Sequence, residues 1–353
     1  MRCNSRQQAA AIPMKEVGPI QVSSAEFDAT VMLPLATFES PLWASTHRGA
    51  RVCTQSGGIK TTLIDDRMTR SILVEADSSA QVHQAYLDIR QQTTQLQLLV
   101  SQHSRFTKLL EFHAQIVGPL LYLRFALQTG DAAGHNMVTL AAEHMLNWIL
   151  QRHPALRYVS ISGNYCSDKK VSAVNGILGR GKYVVAEASI PHHLCTQLLR
   201  TTPEKIVQLN IKKNLLGNIL AGGLRTANAH FANVLLAFYL ATGQDAANII
   251  EASQGMVHTE QRDQSLYFSV TLPNLIMGSV GNGKHLTFVQ KNLQQLGCVE
   301  VNKIGYNARR LALIAAAAVL CAELSLLAAQ TNPGELVRSH LQLERRKKNS
   351  LGV

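Results

Sequence analysis

Ser162-Gly163-Asn164-Tyr165-Cys166-Ser167-Asp168-Lys169-Lys170 packs one carboxylate and two ammonium groups into adjacent positions. The stretch reads as a strand end running into a polar turn. Val159 and Ile161 are expected to be buried before it, and Val171, Ala173 and Val174 after it. Charges pinned between apolar segments are costly unless paired. Asp168 beside Lys169 lowers that cost, and a desolvated lysine is a recurrent catalytic device. A surface turn with an ordinary ion pair accommodates the same residues.

Other stretches carry comparable potential. Thr129-Gly130-Asp131-Ala132-Ala133-Gly134-His135-Asn136-Met137 is a small-residue loop opening a helix. Such loops let backbone N–H groups and the helix dipole approach an anion. The loop lacks GxGxxG spacing, and a plain turn with an N-cap fits it too. Gly278-Ser279-Val280-Gly281-Asn282-Gly283 is a second glycine-rich loop. Glu39 precedes Ser40-Pro41; proline disfavours helix at the residue before it, so Glu39 belongs at a turn near a helix start. His230 and Asn233 lie three apart, on one helical face, either as site residues or as a buried hydrogen-bonded pair. Asp245 is placed to cap a helix. Taken singly, Arg48, Arg105, Lys212, Lys213 and His340 read as surface groups.

The elements that must position these residues follow from patterning. Ile12 to Pro19 reads as a turn-rich opening after a loose tail at 1–11, and Val31 to Phe38 as a strand. An extended stretch after Gly57-Gly58 ends at Arg70. Ile72-Leu73-Val74 then begins the order β-α-β-β-α-β: a helix over 80–101, strands at 109–112 and 120–125, a helix over 137–152 and a strand at 158–161. That order is the signature of a ferredoxin-like split βαβ module. The expected class is therefore α+β: a large domain (12–70 and 162–335) around a central apolar helix at 307–330, an inserted small domain (71–161), and a C-terminal tail (336–353). Ala227 to Thr242 is expected to hold a second strongly apolar helix.

Bulk properties narrow the partners. The chain has 353 residues, 46% hydrophobic and 16% charged, with a net charge of +11. A nucleic-acid binder would cluster its cations among aromatics; here aromatics are 5% and the charge is dispersed, apart from Arg345-Arg346-Lys347-Lys348. The cysteines Cys3, Cys53, Cys166, Cys195, Cys298 and Cys321 lack metal-ligand or redox spacing. They read as reduced thiols of a cytoplasmic protein. No secretory signal opens the chain. The apolar run Leu311 to Cys321 is shorter than the roughly 20 residues a membrane span needs. The expectation is a soluble protein with no membrane, nucleic-acid or metal partner.

The 162–170 stretch resembles the Asn-Tyr-Cys-Thr/Ser-Asp-Lys-Lys signature of the 3-hydroxy-3-methylglutaryl-coenzyme A reductases, in its eukaryote-type form. The resemblance continues through Asn175-Gly176-Ile177-Leu178-Gly179-Arg180-Gly181-Lys182 and, in order, covers about residues 12 to 350. The 131–137 loop is similar to the family's Asp-Ala-Met-Gly-Met-Asn-Met, with Ala133 and His135 in place of two methionines. The 278–284 loop is similar to Gly-Thr-Val-Gly-Gly-Gly-Thr, with Lys284 in place of the last threonine. His47 stands where Asn is common, and the family's Glu-Asn-x-x-Gly motif has no counterpart.

The resemblance implies four-electron reduction of the thioester to mevalonate and free coenzyme A, using two NADPH, with NADH less favoured. It implies Glu39, Lys169, Asp245 and His340 as catalytic residues, Asp245 sharing one network with Lys169 and Glu39. It implies Arg70, Ser162, Asp168, Lys170, Lys213, His230 and Asn233 around the acyl group, and Ser45, His47 and Arg48 facing coenzyme A. Ser104, Arg105, Phe106, Asp131, Ala133, Gly134, His135, Asn136, Met137 and Gly281 would hold the cofactor, Arg105 at its 2′-phosphate. A homodimer or tetramer with active sites between subunits is also implied. Two other readings fit parts of the sequence: a degraded relative that binds nucleotide or coenzyme A for regulation, and a basic nucleic-acid-binding protein.

Overall fold

The computed structural model describes residues 10–301, 303–338 and 341. In chain order come β1 (Met14–Ser23), β2 (Asp28–Ala36), α1 (Pro41–Gln55), β3 (Ile59–Glu75), α2 (Ser79–Gln91), α3 (Thr93–His103), β4 (Lys108–Val117), β5 (Leu120–Gln128), α4 (His135–Arg152), β6 (Arg157–Ser160), α5 (Ala173–Leu178), β7 (Gly181–Pro191), β8 (Met256–Arg262) and β9 (Ser265–Leu275). Helices Phe231–Ala241 and Tyr306–Gln330 complete the interior.

β3 organises the molecule. It is one 17-residue strand, not the two separate extended pieces expected on either side of Arg70. Lys60–Arg67 pairs antiparallel with β7, whereas Met68–Glu75 pairs with β5 on one edge and its last residues with β6 on the other. The paired strands therefore run β2-β1-β3-β7-β9-β8, with β6, β3, β5 and β4 adjacent in a second group. Helices cover both groups, giving a mixed α and β architecture with two hydrophobic cores.

Three local expectations are corrected. The opening at 12–19 is not turn-rich. Val17, Ile20 and Val22 point into the core along β1, and Pro19 sits where the register with β2 shifts, a place where a strand tolerates proline. The helix expected over 80–101 breaks at Gln92 into α2 and α3. The apolar flanks of the 162–170 stretch are not buried: Val159 is 39% and Val171 52% exposed, Ala173 is exposed, and Ile161 and Val174 are only half-buried.

The Tyr306–Gln330 helix is the centre of the larger core. Among the described residues it is the helix long and apolar enough to cross a membrane, and 94% of its apolar window is buried inside the protein. Its alanines let neighbours come close. A Cβ on Gly49 of α1 would lie 1.8 Å from the Cys321 carbonyl oxygen. That contact sets how α1, with Ser45 and Arg48, lies on the central helix.

Candidate active site

The 162–170 stretch leaves β6 and turns under the sheet with Asn164, Ser167 and Lys169 all in the left-handed region (φ +57°, +49° and +53°). A non-glycine residue pays about 1–2 kcal/mol for that conformation, so its neighbours must hold it. Cys166 N–H donates to Ser71 Oγ, and Asn175 Nδ2 donates to the Ser167 carbonyl at 2.9 Å. The Lys169 N–H donates to Glu251 Oε1 at 3.1 Å. The loop projects the Lys169 ammonium to 3.0 Å from Asp245 Oδ2 and 3.9 Å from Asp168 Oδ2. Burial alone would lower the Lys169 pKa, but the bond to Asp245 and the charges of Asp168, Asp245 and Glu251 hold it above its ordinary value. Lys169 is thus a fixed, permanently charged cation near neutral pH.

Asp168 is half-buried. Its Oδ1 accepts from Arg180 Nη2 at 2.6 Å and lies 3.5 Å from His135 Nε2. Burial opposes ionisation, but His135, Arg180 and Lys169 outweigh it and hold the carboxyl well below the usual carboxylate range. Lys170 is exposed and returns its ammonium to the Asp168 carbonyl. Asp245 has two duties: Oδ1 caps the turn that follows, accepting from Ala247 N–H at 3.1 Å, and Oδ2 meets Lys169.

Lys169 and Asp245 form one wall of a cavity of about 410 Å³. The 132–137 segment, with Ala133, Gly134, His135, Asn136 and Met137, forms another, and Val280-Gly281-Asn282 with Lys284 a third. Gly134 caps α4 in the left-handed region (φ +95°), and its position is closed to a side chain because a Cβ would overlap Thr129. Gly281, at φ +102°, has open space where a Cβ would be. Gln244 clamps two walls together, exchanging hydrogen bonds of 3.0 Å with the Gly278 N–H and carbonyl. Burial pushes the Lys284 ammonium down to about 8.

The other expected residues fall in two further places. Glu39 lines a separate cavity of about 230 Å³ with Ser45, Arg48 and His230. Its Oε2 accepts from Asn233 Nδ2 at 2.7 Å. The expected single network of Glu39, Lys169 and Asp245 is therefore two pairs within the chain, Glu39–Asn233 and Lys169–Asp245. His230 precedes its helix rather than sharing a helical face with Asn233, and its Nδ1 lies 2.6 Å from buried Glu323. Ser45 and Arg48 bond Ser325 of the central helix, and Arg48 also pairs with Glu335 at 2.7 Å. His47 is exposed on α1. Lys213 is half-buried, and burial lowers its pKa.

Arg105 and Phe106 stack, cation over ring at 4.6 Å, beside a third cavity of about 220 Å³ that Lys108 and Arg309 also line. Ser104 Oγ orders that turn by accepting from the Phe106 and Thr107 N–H groups. Asp131 binds the start of the central helix instead of opening to a cavity: its carboxylate accepts from Gly305 and Ala308 N–H groups at 2.9 and 3.1 Å. Arg70 donates to Thr139 Oγ1 of α4 at 2.9 Å. Ser162 sits in the turn before the charged residues, and its carbonyl accepts from Ser160 Oγ. His340 lies outside the described residues. The residues that single positions failed to signal are Arg180 and Glu251, 1% and 0% exposed, which hold Asp168 and Lys169 from beneath.

Comparison with known proteins gives the chain a family. The family model described as hydroxymethylglutaryl-coenzyme A reductase matches residues 8–345. The 3-hydroxy-3-methylglutaryl-coenzyme A reductase of Aeropyrum pernix is 41% identical over 339 residues, covering 96% of this chain and 80% of that protein. The same enzyme of Pyrococcus horikoshii is 43% identical over 337 residues, covering 95% and 81%. Among solved structures, a class II reductase of Streptococcus pneumoniae bound to NADPH superposes with a TM-score of 0.73, at 18% identity, over 92% of this chain and 86% of that one, and so shares the fold. With its motifs, its fold and its relatives in accord, the chain belongs to the hydroxymethylglutaryl-coenzyme A reductase family.

Proposed function

We propose that the chain reduces 3-hydroxy-3-methylglutaryl-coenzyme A to mevalonate and coenzyme A, consuming two NADPH and two protons. The observation that carries this reading is the Lys169–Asp245 ion pair on the wall of a cavity whose other walls are a glycine-capped helix start and a glycine-rich loop. The first wall and the loop offer backbone N–H groups and open space to a phosphate-bearing ligand. Arg105 and Lys108, at the third cavity, suit a 2′-phosphate, which favours NADPH over NADH. NADPH, when bound, supplies the two hydrides.

The chain's own residues supply the rest. Reduction of the thioester builds negative charge on its oxygen, and the fixed Lys169 ammonium stabilises that oxyanion without reorganising. Collapse of the hemithioacetal expels a thiolate, and His340 gives it a proton near neutral pH. In the second reduction Lys169 polarises the aldehyde oxygen, and Glu39, in its own cavity with Asn233, delivers the proton. Asp168, held by Arg180, Lys170 and Arg70 present polar groups to the acyl portion, with Ser162 and Lys213 beside them. Ser45, His47 and Arg48 on α1 face coenzyme A.

The unit at 71–161 is read as an inserted ferredoxin-like module that carries the cofactor, supported by its adjacent strands β6, β3, β5 and β4 and by its own core. The remainder, 12–70 and 162–335, is read as the substrate domain, with His340 on the 336–353 tail. A homodimer or tetramer accounts for Ile177, Ile219 and Leu220, which are 66%, 73% and 88% exposed. A second subunit would also bring the Glu39 and Lys169 groups of different chains together. Burial of the long apolar Tyr306–Gln330 helix suits a soluble, cytoplasmic enzyme. A degraded regulatory relative is disfavoured by the retained, paired Lys169 and Asp245. The test is NADPH oxidation by the purified protein, with and without the thioester and with NADH in parallel. Substrate-dependent oxidation favouring NADPH is expected; none from folded protein would overturn the reading.

A further inference from the structure

Beneath the Lys169 loop lies a carboxylate for which the chemistry above has no use. Glu251 is fully buried. Its polar contacts fall on one oxygen: Oε1 accepts from the Lys169 N–H at 3.1 Å and from Asn248 Nδ2 at 3.0 Å, and lies 3.6 Å from Arg180 Nε. Oε2 is buried and has no hydrogen-bond partner. A buried carboxylate is expensive, so what keeps this one in place is what its Oε1 touches. What Glu251 touches is the backbone of the lysine placed against Asp245, in a conformation that a non-glycine side chain rarely adopts. Arg180 completes a frame, because the same guanidinium that approaches Glu251 also grips Asp168, the residue before Lys169, and the Thr69 carbonyl and hydroxyl. Lys169 is thus fixed from both sides along the chain: through the preceding side chain by Arg180, and through its own N–H by Glu251.

We infer that Glu251 is a positioning residue for the reaction, its Oε1 holding the Lys169 backbone so that the ammonium meets the reacting oxygen. The inference rests on the reading of Lys169 as the oxyanion-stabilising cation. The geometry says which property of Glu251 matters. Glutamine can keep Oε1 where it is and put its amide nitrogen at the Oε2 position, where no donor crowds it. Aspartate keeps the charge but is one methylene short of the Lys169 N–H. A misplacement of about 1 Å in a catalytic group can cost about 10²-fold in rate.

The experiment compares Glu251→Gln, Glu251→Asp and Lys169→Ala with the parent in steady-state assays, each shown to be folded by circular dichroism. Reduction of the thioester and of mevaldehyde is followed, and kcat and the KM for NADPH are separated. The expected result is a Glu251→Asp kcat lowered about 10- to 100-fold for both substrates, with KM for NADPH within about 2-fold. Glu251→Gln should keep kcat within about 3-fold of the parent. A Glu251→Asp enzyme with parental kcat overturns the inference, as does a Glu251→Gln enzyme as impaired as Glu251→Asp, because the charge rather than the hydrogen bond would then be what acts. Lys169→Ala separates the two levels. If it turns over like the parent, the role of Lys169 fails and the inference falls with it. If it is inactive while Glu251→Asp is unimpaired, only the positioning claim fails.

Discussion

Arg180→Met removes a buried cation while keeping a side chain of similar reach. The parent guanidinium lies 2.6 Å from Asp168, bonds the Thr69 carbonyl and hydroxyl at 2.7 and 2.8 Å, and approaches Glu251 at 3.6 Å. Removing one partner of a buried ion pair costs about 3–5 kcal/mol. Unfolding entropy of about 2.1 cal/mol/K per residue makes about 0.7 kcal/mol/K for a chain of this length, so Tm falls by about 4–7 °C. The pH dependence tells this mechanism from a simple cavity. Burial raises the Glu251 carboxyl above the ordinary range, against the opposing pull of its backbone bonds and Arg180. A carboxyl with a higher pKa folded than unfolded takes up a proton on folding. Its stabilising contribution is therefore lost as pH rises through the interval between the two values. Without Arg180 the folded value climbs, and the interval extends upward. The Tm deficit of the variant should be smallest near pH 5 and grow toward pH 8. Asp168 acts oppositely, but its depressed pKa moves stability only below about pH 4. Thermal unfolding followed by circular dichroism across that range decides the matter. A deficit that is constant, or that shrinks as pH rises, would refute neutralisation of Glu251 by Arg180.

Arg105→Ala should raise the KM for NADPH about 10- to 100-fold, as expected for loss of a charge-assisted hydrogen bond to a phosphate, and leave that for NADH nearly unchanged; equal changes in both would remove Arg105 from 2′-phosphate recognition. Lys284, pushed down to about 8 by burial, loses its charge as pH rises through that value. The KM for NADPH should therefore climb between about pH 7 and 9, and Lys284→Thr should flatten the climb; a profile that the substitution leaves unchanged would count against any contact between Lys284 and the cofactor phosphates. Gly49→Ala forces a Cβ against the Cys321 carbonyl. Overpacking of about 1–3 kcal/mol predicts a Tm lower by about 1–4 °C, and an unchanged Tm would mean that α1 shifts freely on the central helix.

What was legible in the sequence was local. Ala-rich apolar composition over 307–330 marks a helix buried on every side, and the helix is there with one extra residue at its start. Glycines at 130, 134, 281 and 283 mark turns because their φ values are positive. The order of strands and helices through 71–161 follows from periodicity alone, apart from the break at Gln92. The continuity of β3 does not, since Asp65-Asp66-Arg67 interrupts its apolar pattern. Those charges are tolerated because Asp66 meets Lys182 at 3.2 Å and Arg67 binds Asp65 and Glu111; Lys182 and Glu111 lie on other strands, β7 and β4. Exposure at Val159 and Val171 is illegible for a related reason: an apolar residue is placed by what packs on it, and among the described residues these two are left 39% and 52% exposed.

The buried charges were the least legible part of the site, and physics says why. Glu323 stands within the long buried Tyr306–Gln330 helix, where periodicity treats it as an interruption. It is retained at 0% exposure because it accepts the Ala229 and His230 N–H groups at the start of the Phe231–Ala241 helix, whose unpaired donors need an acceptor. Glu251 and Arg180 follow the same rule. A carboxylate or guanidinium is affordable in a core only where its partners are already fixed, and the partners come from segments that are remote in sequence. The motif therefore announces Lys169, the cation proposed to act on the substrate, whereas the groups that hold it in place emerge only when β3, bearing Thr69 and Ser71, and Arg180 just ahead of β7 lie beside the loop. It follows that substitutions that break those buried hydrogen bonds, such as Glu251→Asp, should move kcat without touching any ligand, whereas substitutions at the exposed charges nearby, such as Lys170, should act through KM.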